Sequence, residues 1–215
     1  MTKGQTLKGT KIKVCGLTRW EDMTRLADLG VHYGGFIFYD RSPRFADGRL
    51  DAVRVKDFEG FQKVGVFVNA TTAYILEQKE KYGLDLVQLH GDESPGDCLA
   101  LRNYLPVMKA FRLKTPQDLA VLPSYKEACD YFLFDTPGVL YGGNGNVFDW
   151  SLLTQYTGRT PFFLSGGIGP AETESLKAFA HPALHAVDIN SRFETAPGKK
   201  NMDDIKRFLW DLNIS

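Results

Sequence analysis

The sequence is short of several things, and each shortage excludes something. It has no excess of either charge, with 26 lysines plus arginines against 26 aspartates plus glutamates. Such a chain has no net field to draw nucleic acid or an anionic membrane, so an anionic ligand must be held by local groups. Cysteine is scarce: Cys15, Cys98 and Cys129 stand far apart and form no CxxC pair. That odd, scattered set suggests neither a disulfide framework nor a zinc site, and no metal is expected. No segment is apolar for the roughly 18 residues that a membrane span needs. The opening stretch, MTKGQTLKGT, lacks the apolar core of a signal peptide, so a reducing, cytoplasmic setting is the expectation.

What is present is a composition of 43% hydrophobic and 24% charged residues over 215 positions, enough for one large core. Short β-branched or aromatic runs alternate with longer segments of helical spacing. The runs are KIKVCG (11–16), GGFIF (34–38), KVGVFV (63–68), LDLVQLHG (84–91), PVMKAFRL (106–113), YFLFDT (131–136), PFFLSGG (161–167) and HAVDINS (185–191). Helical spacing is clearest at 19–30, 71–83 and 201–212, and Pro170 suits the first turn of another helix. Strand–helix alternation implies a parallel sheet, because each return needs a crossover. Eight units of roughly 25 residues fit a closed (β/α)₈ TIM barrel. An open doubly wound sheet is disfavoured, since no GxGxxG follows the first run. The chain therefore reads as an N-terminal tail over 1–10, expected to be flexible, and one barrel over 11–215.

In such a barrel the functional groups stand at the C-terminal ends of the strands. Reading those ends gives Cys15, the YDRSPR loop with Arg44, Asn69, His90 with Asp92, Arg112, Asp135, Ser165 with Gly166 and Gly167, and Asp188 with Ser191. The SGGIGP turn suits a phosphate, since glycine amides approach an anion closely and the loops after strands seven and eight are a common phosphate site. The glycine-rich stretch YGGNGNVFDW (141–150) reads as a loop closing over a ligand, with Asp149 capping the helix that follows. Cys98 and Cys129 read as packing residues, Asp92 and Glu93 equally as part of a binding loop or as the start of a helix, and PGKK (197–200) as solvated surface. Cys15 itself reads either as a small core residue or as a reactive thiol, and its place at the rim favours the second.

In this order, the stretches KVCGLT, GFIFYDRSPR, VGVFVN, VQLHGDE, LFDT, YGGNGNVFDW, LSGGIGP and VDINSRFETAPGKK resemble the phosphoribosylanthranilate isomerase family of tryptophan biosynthesis. That resemblance implies a cofactor-free Amadori rearrangement of N-(5-phosphoribosyl)anthranilate to 1-(o-carboxyphenylamino)-1-deoxyribulose 5-phosphate. It implies Cys15 as general base, Asp135 as general acid and Arg44 as the partner of the anthranilate carboxylate. His90, with no proton-transfer role, and Asp188 would face the substrate; the alternatives are a packing histidine and a loop-bracing aspartate. Gly143, Gly145, Ser165, Gly166, Gly167, Asn190 and Ser191 would hold the phosphate. Partners beyond the small-molecule substrate would be a homodimer or neighbouring tryptophan-pathway enzymes. The chain departs from the family where Ser-Ser-Gly often follows the strand-eight aspartate and Asn190, Ser191 and Arg192 stand here; a positive φ at Arg192 would carry a backbone cost. Other readings are the related isomerase of histidine biosynthesis, a pentose-phosphate epimerase, or a catalytically silent barrel. The thiol argues against the first, the missing metal ligands against the second, and Cys15, Asp135 and Arg44 together against the third.

Overall fold

Eight parallel strands close on themselves, each hydrogen-bonded to the next and the eighth to the first. They are β1 (Lys11–Val14), β2 (Tyr33–Ile37), β3 (Gln62–Phe67), β4 (Leu86–Leu89), β5 (Val107–Arg112), β6 (Tyr131–Asp135), β7 (Phe162–Ser165) and β8 (Leu184–Ile189). The computed structural model describes residues 9–135 and 150–213. The expected tail falls mostly on residues outside that set, and so do Gly143, Gly145 and Asp149. All eight expected runs form strands. Beyond β8 a short hairpin of β9 (Glu194–Ala196) and β10 (Lys199–Lys200) leads into the last helix.

The helices outside the barrel are α1 (Trp20–Asp28), α2 (Ala52–Lys56), α3 (Thr72–Tyr82), α4 (Pro95–Arg102), α5 (Thr173–Ala178) and α6 (Met202–Asp211). Strand alternation then makes two cores. Outward residues such as Ile12, Val14, Phe36 and Val187 pack with Met23, Leu26, Ile205 and Phe208 of the helices. Inward residues Tyr33, Val64, Leu86, Met108, Leu133, Phe163 and Ala186 fill the barrel. This inner core occupies the lower part, and the polar groups above it are free to build a site. No helix among the described residues is long and apolar enough to cross a membrane.

The structure refines three expectations. The helix expected from Trp150 is a 3₁₀ helix over residues 150–155. There Thr154 Oγ1 donates to the Ser151 carbonyl at 2.6 Å, a local bond that competes with regular helical pairing. The helix expected from Pro170 is a three-residue 3₁₀ turn followed by the six-residue α5, so a long helix end does not face the SGG turn. Asp92 and Glu93 do not begin α4. Its cap is Ser94, in a reciprocal capping box with Asp97, while the Glu93 carboxylate accepts from the Asn69 and Gly91 amides at 2.8 and 2.9 Å. Replacing Ser94 by Ala should therefore destabilise the protein by about 1 kcal/mol, read as a shift in the urea midpoint. An unchanged midpoint would remove the cap from the account.

Candidate active site

Alternation along β1 turns Lys13 inward, with Cys15 two residues on at the strand's end. Register pairs Lys13 with Asp188 of β8, and Lys13 Nζ lies 2.9 Å from Asp188 Oδ1, with side chains 0% and 5% exposed. The Cys15 amide donates to the Ile189 carbonyl at 2.9 Å, and its thiol is buried. The neighbouring strand leaves room for it through Gly35, where an added Cβ would stand 2.8 Å from Cys15 Sγ. Across the barrel, Gln88 Nε2 is 3.1 Å from His90 Nδ1, and His90 Nε2 is 3.4 Å from Asp135 Oδ2. Gln88 Oε1 is buried and has no hydrogen-bond partner among the described residues. Ser165 Oγ reaches Asp188 Oδ2 at 3.4 Å.

These groups share one cleft of about 200 Å³, lined by Cys15, Gln88, His90, Asp135, Ser165, Gly166, Gly167, Asp188, Asn190, Ser191 and Arg192. Of the described residues to which the resemblance gives a role, Arg44 is missing from this lining, and of the wider rim reading Asn69, Asp92 and Arg112 also lie outside it. Gly166 and Gly167 have φ of 96° and 65°, consecutive left-handed conformations that glycine adopts without strain. The φ cost considered for Arg192 does not arise, since Asn69 and Asn213 are the non-glycine residues with positive φ among those described. Arg192 instead puts a cation beside the SGG turn. Among the described residues, no group of three or more His, Cys, Asp or Glu could hold a metal ion.

The electrostatics are set by burial. Burial pushes the Cys15 thiol above its ordinary value; Lys13 and Lys200 oppose the rise, and Asp188 adds to it. Burial also raises the Asp188 carboxyl, against the pull of the Lys13 ammonium. For Lys13 burial alone would disfavour the charge, yet Asp188 and Cys15 outweigh it and the pKa rises. The pair is thus a buried salt bridge whose partners depend on each other.

Arg44 lies beside the cleft, with Nε and Nη2 both on the Glu194 carboxylate at distances of 2.6 to 3.0 Å. Glu194 also accepts from Lys200 Nζ at 2.8 Å, and Lys200 Nζ reaches Asn190 Oδ1 at 2.9 Å. This corrects the surface reading of PGKK: Lys200 is 4% exposed. Lys13, Gln88, Glu194 and Lys200 were not singled out from the sequence. A lysine inside an apolar run was the available signal for Lys13, because alternation puts it on the same face as the thiol.

A closed parallel barrel with a thiol, two carboxylates, a histidine and a glycine turn around one cleft at its C-terminal rim is an enzyme of small-molecule acid–base chemistry. The comparisons narrow that class. The family model for N-(5'phosphoribosyl)anthranilate (PRA) isomerase matches residues 12–210, and the chain belongs to that family. It is 46% identical over 205 residues to the N-(5'-phosphoribosyl)anthranilate isomerase of Parabacteroides distasonis, covering 94% of this chain and 92% of the relative. The corresponding isomerase of Phocaeicola vulgatus is 39% identical over 202 residues, covering 94% and 97%. Among solved structures, the phosphoribosyl anthranilate isomerase of Thermotoga maritima superposes with a TM-score of 0.84 at 33% identity, covering 96% of this chain and all (100%) of that one. A phosphoribosyl anthranilate isomerase in complex with reduced 1-(o-carboxyphenylamino)-1-deoxyribulose 5-phosphate gives 0.82 at 32% identity, covering 96% and 100%.

The buried thiol should react slowly with iodoacetamide near neutrality. Its alkylation rate, measured against a Cys15→Ala control, should rise along a limb centred above the ~8.5 of an ordinary thiol. A limb below that value would contradict the balance of charges described.

Proposed function

We propose that this chain, as a member of that family, converts N-(5-phosphoribosyl)anthranilate to 1-(o-carboxyphenylamino)-1-deoxyribulose 5-phosphate through Cys15 and Asp135. The observation that carries the reading is the meeting of Cys15, Asp135 and Asp188 around one cleft with the SGG turn. Asp135, as the acid, protonates the furanose ring oxygen while the C1–O bond breaks. The nitrogen lone pair then forms the C1=N bond of a cationic Schiff base. Cys15, as thiolate, removes the C2 proton, and those electrons make C1=C2 while the C=N pair returns to nitrogen. The enolamine gives up its C2 hydroxyl proton and takes one up at C1, giving the ketone, and the thiol's proton returns through solvent to the Asp135 carboxylate, which restores both groups. Atoms and charge balance without a cofactor.

The surroundings support each role. His90 Nε2 lies 3.4 Å from Asp135 Oδ2, where it is suited to orient the carboxyl. Lys13 is the largest influence favouring the thiolate. Asp188 is suited to the substrate nitrogen, whose positive charge in the Schiff base a carboxylate would stabilise. Phosphate suits the side near Ser165, Gly166, Gly167, Asn190 and Ser191, with Arg192 as counter-charge and Gly143 and Gly145 as further proposed ligands. Arg44 suits the aryl carboxylate, which a guanidinium fork binds well. Three free cysteines fit a reducing cytoplasm. A homodimer is the assembly suggested by a relative, since one Thermotoga maritima structure is described as monomers generated from a dimeric isomerase; association with neighbouring tryptophan-pathway enzymes is the other assembly proposed.

Phosphoribosylanthranilate generated in situ loses its fluorescence as it rearranges, which gives the assay. Cys15→Ala and Asp135→Asn should each lower turnover by roughly 10²–10⁴-fold with the circular dichroism spectrum unchanged. Near-wild-type turnover in either variant would remove that residue from its role.

A further inference from the structure

The Arg44 guanidinium does not stand free for a ligand. Glu194 already occupies the Nε–Nη2 edge, with Nη2 at 2.6 Å. Among the described residues, Nη1 has no such partner. A guanidinium offers two usable edges to carboxylates, and one remains open.

Glu194 is itself held. Its side chain is 3% exposed, and its carboxylate accepts from the Gly198 amide at 3.1 Å and from Lys200 Nζ at 2.8 Å. The β9–β10 hairpin that carries these donors is fastened to the barrel twice. Thr18 Oγ1 donates to the Gly198 carbonyl at 2.8 Å, and the Lys200 amide donates to Asp22 Oδ2 at 3.1 Å. Burial would raise the Glu194 carboxyl, but its bonds to Arg44 and Lys200 bring it below the ordinary range, so it stays charged near neutrality.

The count of charge is uneven. Two cations, Arg44 and Lys200, share one carboxylate, and the remaining partner of Lys200 is the neutral Asn190. Burial lowers the Lys200 pKa while the bond to Glu194 raises that of Arg44, so the firmer charge is the arginine's, half-buried at the cleft's edge. It also lies close to the thiol. At Gly16, next to Cys15, an added Cβ would stand 2.7 Å from Arg44 Cδ, so the arginine stem runs over the backbone beside the base.

We propose that Glu194 is the positioning residue that fixes Arg44, so that the open Nη1–Nη2 edge receives the ortho-carboxylate of the substrate's aryl ring and selects substrates that carry it. The inference rests on the function proposed above and deepens it. Glu194 touches no substrate in this account; it acts through Arg44, and the hairpin acts through Glu194. Specificity for the carboxylate is then set by the loop after β8 as much as by the arginine after β2.

The test compares two ligands that differ only in that carboxylate. One is the reduced product, 1-(o-carboxyphenylamino)-1-deoxyribitol 5-phosphate; the other is its phenylamino counterpart. Dissociation constants are measured by calorimetry on wild type, Glu194→Gln, Arg44→Ala and the double variant, each checked for a native spectrum and melting transition. In wild type the carboxylated ligand should bind more tightly. In Glu194→Gln that preference should fall by about tenfold or more, the scale of one lost charge-assisted hydrogen bond, with little change for the phenylamino ligand. Adding Glu194→Gln to Arg44→Ala should cost nothing further.

Equal weakening of both ligands would mean a merely structural role and overturn the proposal, as would an unchanged preference. If Glu194→Gln did not fold, Glu194→Asp, which keeps the charge but withdraws it by one methylene, should show the same selective loss; equal loss there would also overturn it. Wild type that binds neither ligand would instead bring down the proposed function, and this inference with it.

Discussion

A lysine and an aspartate facing each other inside a barrel are the constraint on which the rest depends. Lys13 and Asp188 meet at 2.9 Å with almost no exposure, and neither could be charged there alone. Because the strands are parallel and in register, the same pairing puts Cys15 just above the ammonium and at the mouth of the cleft. Desolvation is costly for a thiolate, and that cost is what Lys13 offsets. Asp188 works against it while its charge is free. A ligand nitrogen that engages Asp188 would quiet that opposition and leave the ammonium to the thiol. The buried pair thus couples the charge at Asp188 to the Cys15 thiol in one layer of side chains.

A second network lies outside the barrel wall. Arg44, Glu194, Lys200 and Asn190 join the loops after β2 and β8 through the hairpin that follows β8. Between the two networks the cleft has a distinct chemical direction. Arg44 stands at one edge, the Cys15 thiol and the Asp135 carboxyl beside His90 face each other across the middle, and a glycine turn with Arg192 lies toward β7 and β8. A substrate with an aryl carboxylate at one end and a phosphate at the other suits that order. The lower barrel is closed by Tyr33, Leu133 and Phe163, so the chemistry is confined to the rim.

The strands were legible because each run is β-branched or aromatic and ends in a polar or small residue, as YFLFD and PFFLS do. The candidate residues at those ends followed from the barrel's one-sided geometry and their roles from the family resemblance, and Cys15, His90, Asp135, Ser165 and Asp188 line one cleft. What stayed hidden was pairing. Lys13 sits in KIKV, where alternation marks a face but does not say which face is interior, and a lysine is normally solvated. Lys200 looked solvated for the same reason; only the fold shows the hairpin turning it onto Glu194. Glu93 read equally as a loop residue or as the start of a helix, because acidic residues favour that position; Ser94 is the cap and Glu93 serves two loop amides. The 3₁₀ stretch at 150–155 keeps helical spacing over too few residues for periodicity to reveal its tighter turn.

The central claim is that the buried Lys13 ammonium makes Cys15 a usable base. Its most direct test is the pH dependence of kcat/KM, which reports ionisations of the free enzyme, for wild type and Lys13→Met. Lys13 lowers the thiol's pKa and Asp188 raises it, so removing the lysine should move the ascending limb to higher pH and lower the rate at neutrality. Superposable limbs, from folded and active protein, would contradict the account and return Lys13 to a purely structural part.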